Sequence, residues 1–316
     1  MTLVPSGLMT IATVGPLGAI ALPVVVLLCW LPYRGRALTL AREGRPVPTW
    51  RRACYAAGLL VLALALSPPV DTLSDQLLVA HMAEHLLIGD VAALLIVLGF
   101  TGPLLAPLLR HRLIGRLRLL SHPLIAVPLW AVNFYVWHLP VLYQAALRHD
   151  ALHALEHATF LGLGMAVWMG LLGPLPKPQW FTNGPRLVYI IAVRLIGTVL
   201  ANAMIFSGTV WYPYYHAGDV HWHISAMGDQ IAAAGVMMVE ESLLTIGLFC
   251  WLFLKVAREG EERQELLDFA ASRGVELDER RAARAVAAGR AGELRERVLR
   301  AAGATPVGAG APHVRS

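Results

Sequence analysis

The chain has 316 residues, of which 57% are hydrophobic and 15% charged, with a formal net charge of +5; its mean hydropathy is +0.58. A water-soluble domain cannot bury that much apolar surface, so the composition excludes a soluble enzyme and points to a polytopic membrane protein. The positive charge sits as Arg clusters between apolar runs, where it sets membrane orientation and gives no nucleic-acid reading.

Windows of about 20 apolar residues, the length that crosses roughly 30 Å of hydrocarbon, fall at seven places: 9–31, 52–70, 76–100, 122–140, 151–173, 186–208 and 228–256. The first lacks a basic leader region and reads as an uncleaved span. The second closes early at Pro68 and Pro69, since proline breaks a helix interior.

Loop charge gives direction. Arg34, Arg36, Arg42, Arg45, Arg51 and Arg52 occupy 32–52, and Arg110, Arg112, Arg116 and Arg118 occupy 101–121, so both segments are expected in the cytoplasm. Segment 71–75 has Asp71 and Asp75, and segment 209–227 has Asp219, with no Lys or Arg in either. The expected fold is therefore all-α, a seven-transmembrane-helix bundle with the amino terminus outside and the carboxyl terminus cytoplasmic. Residues 1–256 form the membrane domain. From 257 to 316 the composition turns to Ala, Arg and Glu, a cytoplasmic tail that is helical in part and then disordered. Cys29, Cys54 and Cys250 form no C-x-x-C pair and read as packing residues.

Two apolar stretches carry the same H-x-x-E-H pentapeptide, HMAEH at 81–85 and HALEH at 153–157. In a helix the two imidazoles at i and i+4 stack on one face. Counting about 1.5 Å per residue from the outer end of each span, His81, His85, His153, His157 and His138 fall in one layer in the outer third of the bilayer, and Asp229 opens the seventh span; the four pentapeptide histidines are the expected metal ligands, with His138 and Asp229 the next candidates. Imidazole suits copper, zinc, iron and nickel, and thioether sulfur from Met204 or Met237 tilts the choice toward cuprous ion. Glu84 and Glu156 serve as second-shell partners that orient a ring, accept its proton or ligate.

A single membrane histidine is commonly a helix-to-helix hydrogen-bond partner. Two pentapeptides at matched depth favour a metal site instead, because buried ionisable groups are costly and usually functional. Asp90, Arg194, Glu240 and Glu241 form a deeper layer near the midplane, either a structural ion network or a proton or ion path. His216, His221 and His223, in the outward segment WYPYYHAGDVHWH, either collect metal at the mouth or belong to an interfacial belt.

HMAEHLLIGDVAALLIVLG, NFYVWHLPVLYQAALRHDALHALEHATFLG, WYPYYH and GDQIAAAGVMM together resemble the multi-spanning CtaG family of cytochrome c oxidase assembly factors, over about residues 10–255. The resemblance implies a non-enzymatic protein of the bacterial cell membrane that helps mature a haem–copper oxidase by handling copper at the outer face. Its partners would be oxidase subunits, other copper-handling proteins and the lipid bilayer. The family's polar pattern falls on His81, His85, His138, His153, His157, Asp229 and Gln230, followed by Met237 and Met238. Glu84 stands where the family often has an amide, and Val239 where an aromatic is common.

Three rivals remain open on the residues alone. One is a seven-span zinc hydrolase, since H-x-x-E-H also marks a class of zinc peptidases. Another is a bis-histidine haem protein. The last is a structural partner of the oxidase with no ligand.

Overall fold

The computed structural model describes residues 16–111 and 118–304, and no strand occurs among them. Helices Leu22–Arg42, Leu78–Gly99, Asp150–Leu171, Asn183–Phe206 and Ala226–Ser272 are each long and apolar enough to cross a bilayer. Two further pairs, Thr49–Ala65 with Pro68–Ser74 and Pro123–Trp137 with Pro140–Ala146, bend by 52° and 78°. The count of candidate spans is thus five, or up to seven if each bent pair is one span.

The bundle is dressed for lipid. Large apolar side chains such as Leu60, Leu64, Val132, Val199 and Leu243 are exposed, while His81, Glu84, His85, His138, Glu156, Asp229 and Gln230 are buried. Polar groups inside and apolar groups outside is the arrangement that hydrocarbon demands.

The first helix is described over Pro16–Arg42 and continues past the expected span end at residue 31; residues 9–15 lie outside the described residues. Arg34, Arg36 and Arg42 are consequently helical and not in a loop. Long Arg stems can lie along an apolar helix end with the charge directed to a polar surface: Arg36 donates to the Pro103 carbonyl at 3.4 Å and pairs with Glu43 at 3.5 Å. Leu40 is fully buried, and Tyr33 stacks on Tyr55 with ring centroids 3.8 Å apart.

Proline explains both bends. Helix Thr49–Ala65 stops before Pro68 and Pro69, which restart a short helix from its first turn, where their missing N–H groups cost nothing. In the same way Pro140 opens Pro140–Ala146 and leaves His138 at the end of Pro123–Trp137, inside the corner.

Leu78–Gly99 is continuous but irregular: α-helix over Leu78–Leu86, π-helix over Leu87–Ala92, α-helix again over Ala93–Gly99. Such π segments are rare and cluster at functional sites. The last long helix extends unbroken to Ser272, beyond the expected end at 256. Contacts divide the chain at Thr245 and Ile246, within this helix and ahead of the expected domain boundary. In the second unit, Glu279–Ala287 and Ala291–Ala304 follow, with Leu266, Val286, Ala291 and Leu294 as a small core. The chain from residue 305 onward lies outside the described residues.

Candidate metal centre

The geometry begins with a helix start. Both carboxylate oxygens of Asp229 accept backbone N–H groups, from Leu78 at 2.6 Å and Val79 at 2.9 Å. These are among the donors that the first turn of Leu78–Leu86 cannot satisfy internally. An anion there is also favoured by the helix dipole. Asp229, expected among the ligands, instead anchors the helix whose next turn carries His81.

Within each pentapeptide the rings stack as the spacing requires: 4.3 Å between centroids for His81 and His85, 4.2 Å for His153 and His157. Between helices, His81 faces His153 at 5.3 Å and His85 faces His157 at 5.2 Å. Both partners advance together along the chain, so Leu78–Leu86 and Asp150–Leu171 run parallel and in register. Deeper in the bundle the contact tightens: a Cβ built on Gly164 would overlap the Gly89 carbonyl. Glycine at 164 permits this approach, and the π segment containing Gly89 supplies the backbone that receives it.

Parallel register also crosses the carboxylates over. His85 Nε2 lies 3.9 Å from Glu156 Oε1, and His157 Nε2 lies 3.9 Å from Glu84 Oε1. His81, His85, His153 and Glu156 each offer one donor atom, all within 4.8 Å of one another. Bonds of about 2 Å to a tetrahedral ion place donors roughly 3.3 Å apart, so small side-chain rotations would close the set. Glu156, expected as a second-shell partner, thus joins the convergent donors, whereas His157 stands beside them.

The chemistry of these atoms fits a cation. His81 and His85 have both ring nitrogens buried without a hydrogen-bond partner; Glu156 has both carboxyl oxygens in that condition, as does Glu84 apart from the neighbouring Ser74 hydroxyl, and His153 and His157 their Nε2 atoms. Each buried polar group left unsatisfied costs about 1–3 kcal/mol. A bound metal ion answers several at once.

Aromatic residues from two other segments roof this layer. Tyr143, from the helix after the Pro140 corner, lies 5.1 Å from the His81 ring and shares a 3.0 Å hydroxyl contact with Tyr215. The Tyr212 hydroxyl donates to the His138 carbonyl at 2.7 Å. Gln230 holds the segment that carries Tyr212 and Tyr215 in place, accepting from Trp211 N at 2.8 Å and donating to the Met204 carbonyl at 2.9 Å and the Thr209 carbonyl at 3.0 Å. The buried tyrosines were not distinguishable in sequence from the exposed aromatics of an interfacial belt.

The remaining candidates separate. His138 is buried, with Nδ1 2.7 Å from the Phe134 carbonyl and Nε2 unpartnered, and it lies outside the group of four. Met204 and Met237 are buried. Of the midplane residues, Arg194 pairs with Glu241 at 2.5 Å and donates to Ser242 at 3.0 Å; Asp90 lies in the π segment, and the Glu240 carboxyl oxygens are buried without a partner. His216, His221 and His223 are exposed in the segment between Asn183–Phe206 and Ala226–Ser272.

Among known proteins, the chain is 24% identical over 244 residues to uncharacterised proteins of Mycobacterium bovis and Mycobacterium tuberculosis, covering 72% of this chain and 37% of each relative. A Mycobacterium leprae counterpart, also uncharacterised, is 22% identical over 248 residues with the same coverage. The chain therefore spans little more than a third of the length of these relatives. No solved structure matches it. Residues 33–259 match the family model described as cytochrome c oxidase caa3 assembly factor (Caa3_CtaG), and the chain belongs to that family.

Proposed function

We propose that this protein assists the assembly of a haem–copper cytochrome c oxidase by holding copper between its two H-x-x-E-H helices and passing it to an oxidase subunit. The observation that carries this reading is the convergence of His81, His85, His153 and Glu156 from two parallel helices, with buried donor atoms that lack protein partners. Three imidazoles and a carboxylate suit cupric ion or zinc. Cuprous ion would draw on the more nitrogen-rich side of the cluster, where His157 adjoins His153 and His85. Copper is here a cargo. His81 and His85 are the buried end of the site, while His153 and His157 are partly exposed, a gradient suited to entry and exit on one side.

In this reading both bent pairs count as spans, giving seven, and the Arg-rich segments lie in the cytoplasm of a bacterium. The pentapeptides then begin their helices at the outer face, where His138 and the Tyr212–Tyr215 segment cover them. Other copper-handling proteins would dock on that face.

The rival ligands fit less well. Four protein donors complete a tetrahedral zinc shell, whereas a hydrolase needs an open position for water. A haem requires a flat slot between facing helices, and here the Gly164 backbone is packed onto Gly89.

The reading is checked by metal analysis of detergent-purified protein. Wild type should retain copper after exposure and desalting, and the combined variant His81→Ala, His85→Ala, His153→Ala should retain less than a tenth of it. Equal copper in both would refute the site.

A further inference from the structure

The four convergent donors leave a second set untouched. Glu84 is fully buried, and apart from the neighbouring Ser74 hydroxyl its carboxyl oxygens have no hydrogen-bond partner. The His157 Nε2 atom is buried without a partner and stands 3.9 Å from Glu84 Oε1. An ion held by His81, His85, His153 and Glu156 satisfies neither. A neutral Glu84 could donate its proton to His157, but 3.9 Å is beyond hydrogen-bond length.

The separation between His157 and Glu84 equals that between His85 and Glu156. This follows from the sequence: two identical H-x-x-E-H spacings on parallel helices in register are related by a local two-fold axis along the helix direction. The pairing of the glutamate of one helix with the second histidine of the other therefore occurs twice, at the same separation. We propose that the centre takes two metal ions, the second held by His157 and Glu84 with help from the His81 or His153 ring. A neutral imidazole offers one lone pair, so the His81 or His153 ring that joins the second ion leaves the first. Two carboxylates, once ionised, match two cuprous ions in charge.

The inference rests on the copper reading above, and the test separates the two. Full-length protein in detergent is loaded anaerobically with Cu(I), desalted, and analysed for copper per chain. Wild type should hold two equivalents, and each of the double variants Glu84→Gln/His157→Ala and His85→Ala/Glu156→Gln about one. A second readout does not depend on counting: after oxidation, wild type should give the half-field electron paramagnetic resonance signal of two coupled Cu(II) ions, and each double variant an isolated Cu(II) spectrum. One equivalent in wild type, unaltered by Glu84→Gln/His157→Ala and lost in His85→Ala/Glu156→Gln, would overturn the second ion and leave the first. No copper in wild type would overturn the reading beneath it.

Discussion

Asp229 shows how a single side chain can govern a site it does not enter. It receives two N–H groups from a helix 150 residues earlier in the chain, so its removal leaves two buried donors without an acceptor. Asp229→Ala should lower stability by about 1–3 kcal/mol, measured as thermal unfolding in detergent, and copper affinity should fall by less than in His81→Ala. An Asp229→Ala protein with wild-type stability would mean that the carboxylate does not hold the helix. Asp219, near it in the segment before Ala226–Ser272, has a different signature. Burial, then the negative charge of Asp229 and a hydrogen bond with it, push its carboxyl up from the ordinary 3.8 to about 6, against an opposing influence from His216. A raised folded-state value means that the folded form holds its proton where the unfolded chain has released it, so stability is lost as pH rises from about 4 to about 6. Asp219→Asn cannot ionise and should escape this loss. Its melting temperature should match wild type near pH 4 and exceed it by a few degrees at pH 7.5; a gap that does not change with pH would contradict the assignment.

At the scale of elements, the alignment of the two histidine helices is set well below the histidines. Gly164 allows backbone contact with the π segment at Gly89, and a methyl group at 164 has no space. Gly164→Ala should therefore part the helices, costing about 1–3 kcal/mol and weakening copper binding at least tenfold. Gly89→Ala is the control, since the nearest neighbours of a Cβ there lie at 3.6 Å, ordinary contact. Thermal unfolding and copper titration of both variants check the pair, and equal tolerance at 164 and 89 would refute the contact's role. Much of this level was legible in sequence and some was not. The i, i+4 imidazole pairs were legible because 3.6-residue periodicity alone puts them on one face. The helix breaks at Pro68 and Pro140 follow from local chemistry. The π segment was not legible, because it answers to packing against another helix and not to local propensity. That Glu84 or Glu156 could ligate was legible, but which histidine each would meet was not: the parallel register brings Glu156 to His85 and Glu84 to His157. The end of the first span was misplaced because Arg34, Arg36 and Arg42 were read as loop charges, when their stems lie along a continuing helix.

On the scale of the whole molecule, the charged interior of an apolar bundle is the feature that needs explanation. Two carboxylates and four imidazoles gathered in one layer are expensive in hydrocarbon, and the fold spends several devices on them: the Asp229 anchor, the Gly164 contact, the Pro140 corner and the tyrosine roof. The family model that matches residues 33–259 is described as a cytochrome c oxidase caa3 assembly factor, and the proposed copper site is the reading that links those devices to such a role. The most direct test of the central claim is X-ray absorption of the copper-loaded protein, which reads the donor atoms around the metal. Several imidazole rings with an oxygen donor, and loss of the imidazole scattering in the His81→Ala, His85→Ala, His153→Ala variant, is the predicted result. A spectrum dominated by sulfur, or one unchanged by that variant, would contradict the account.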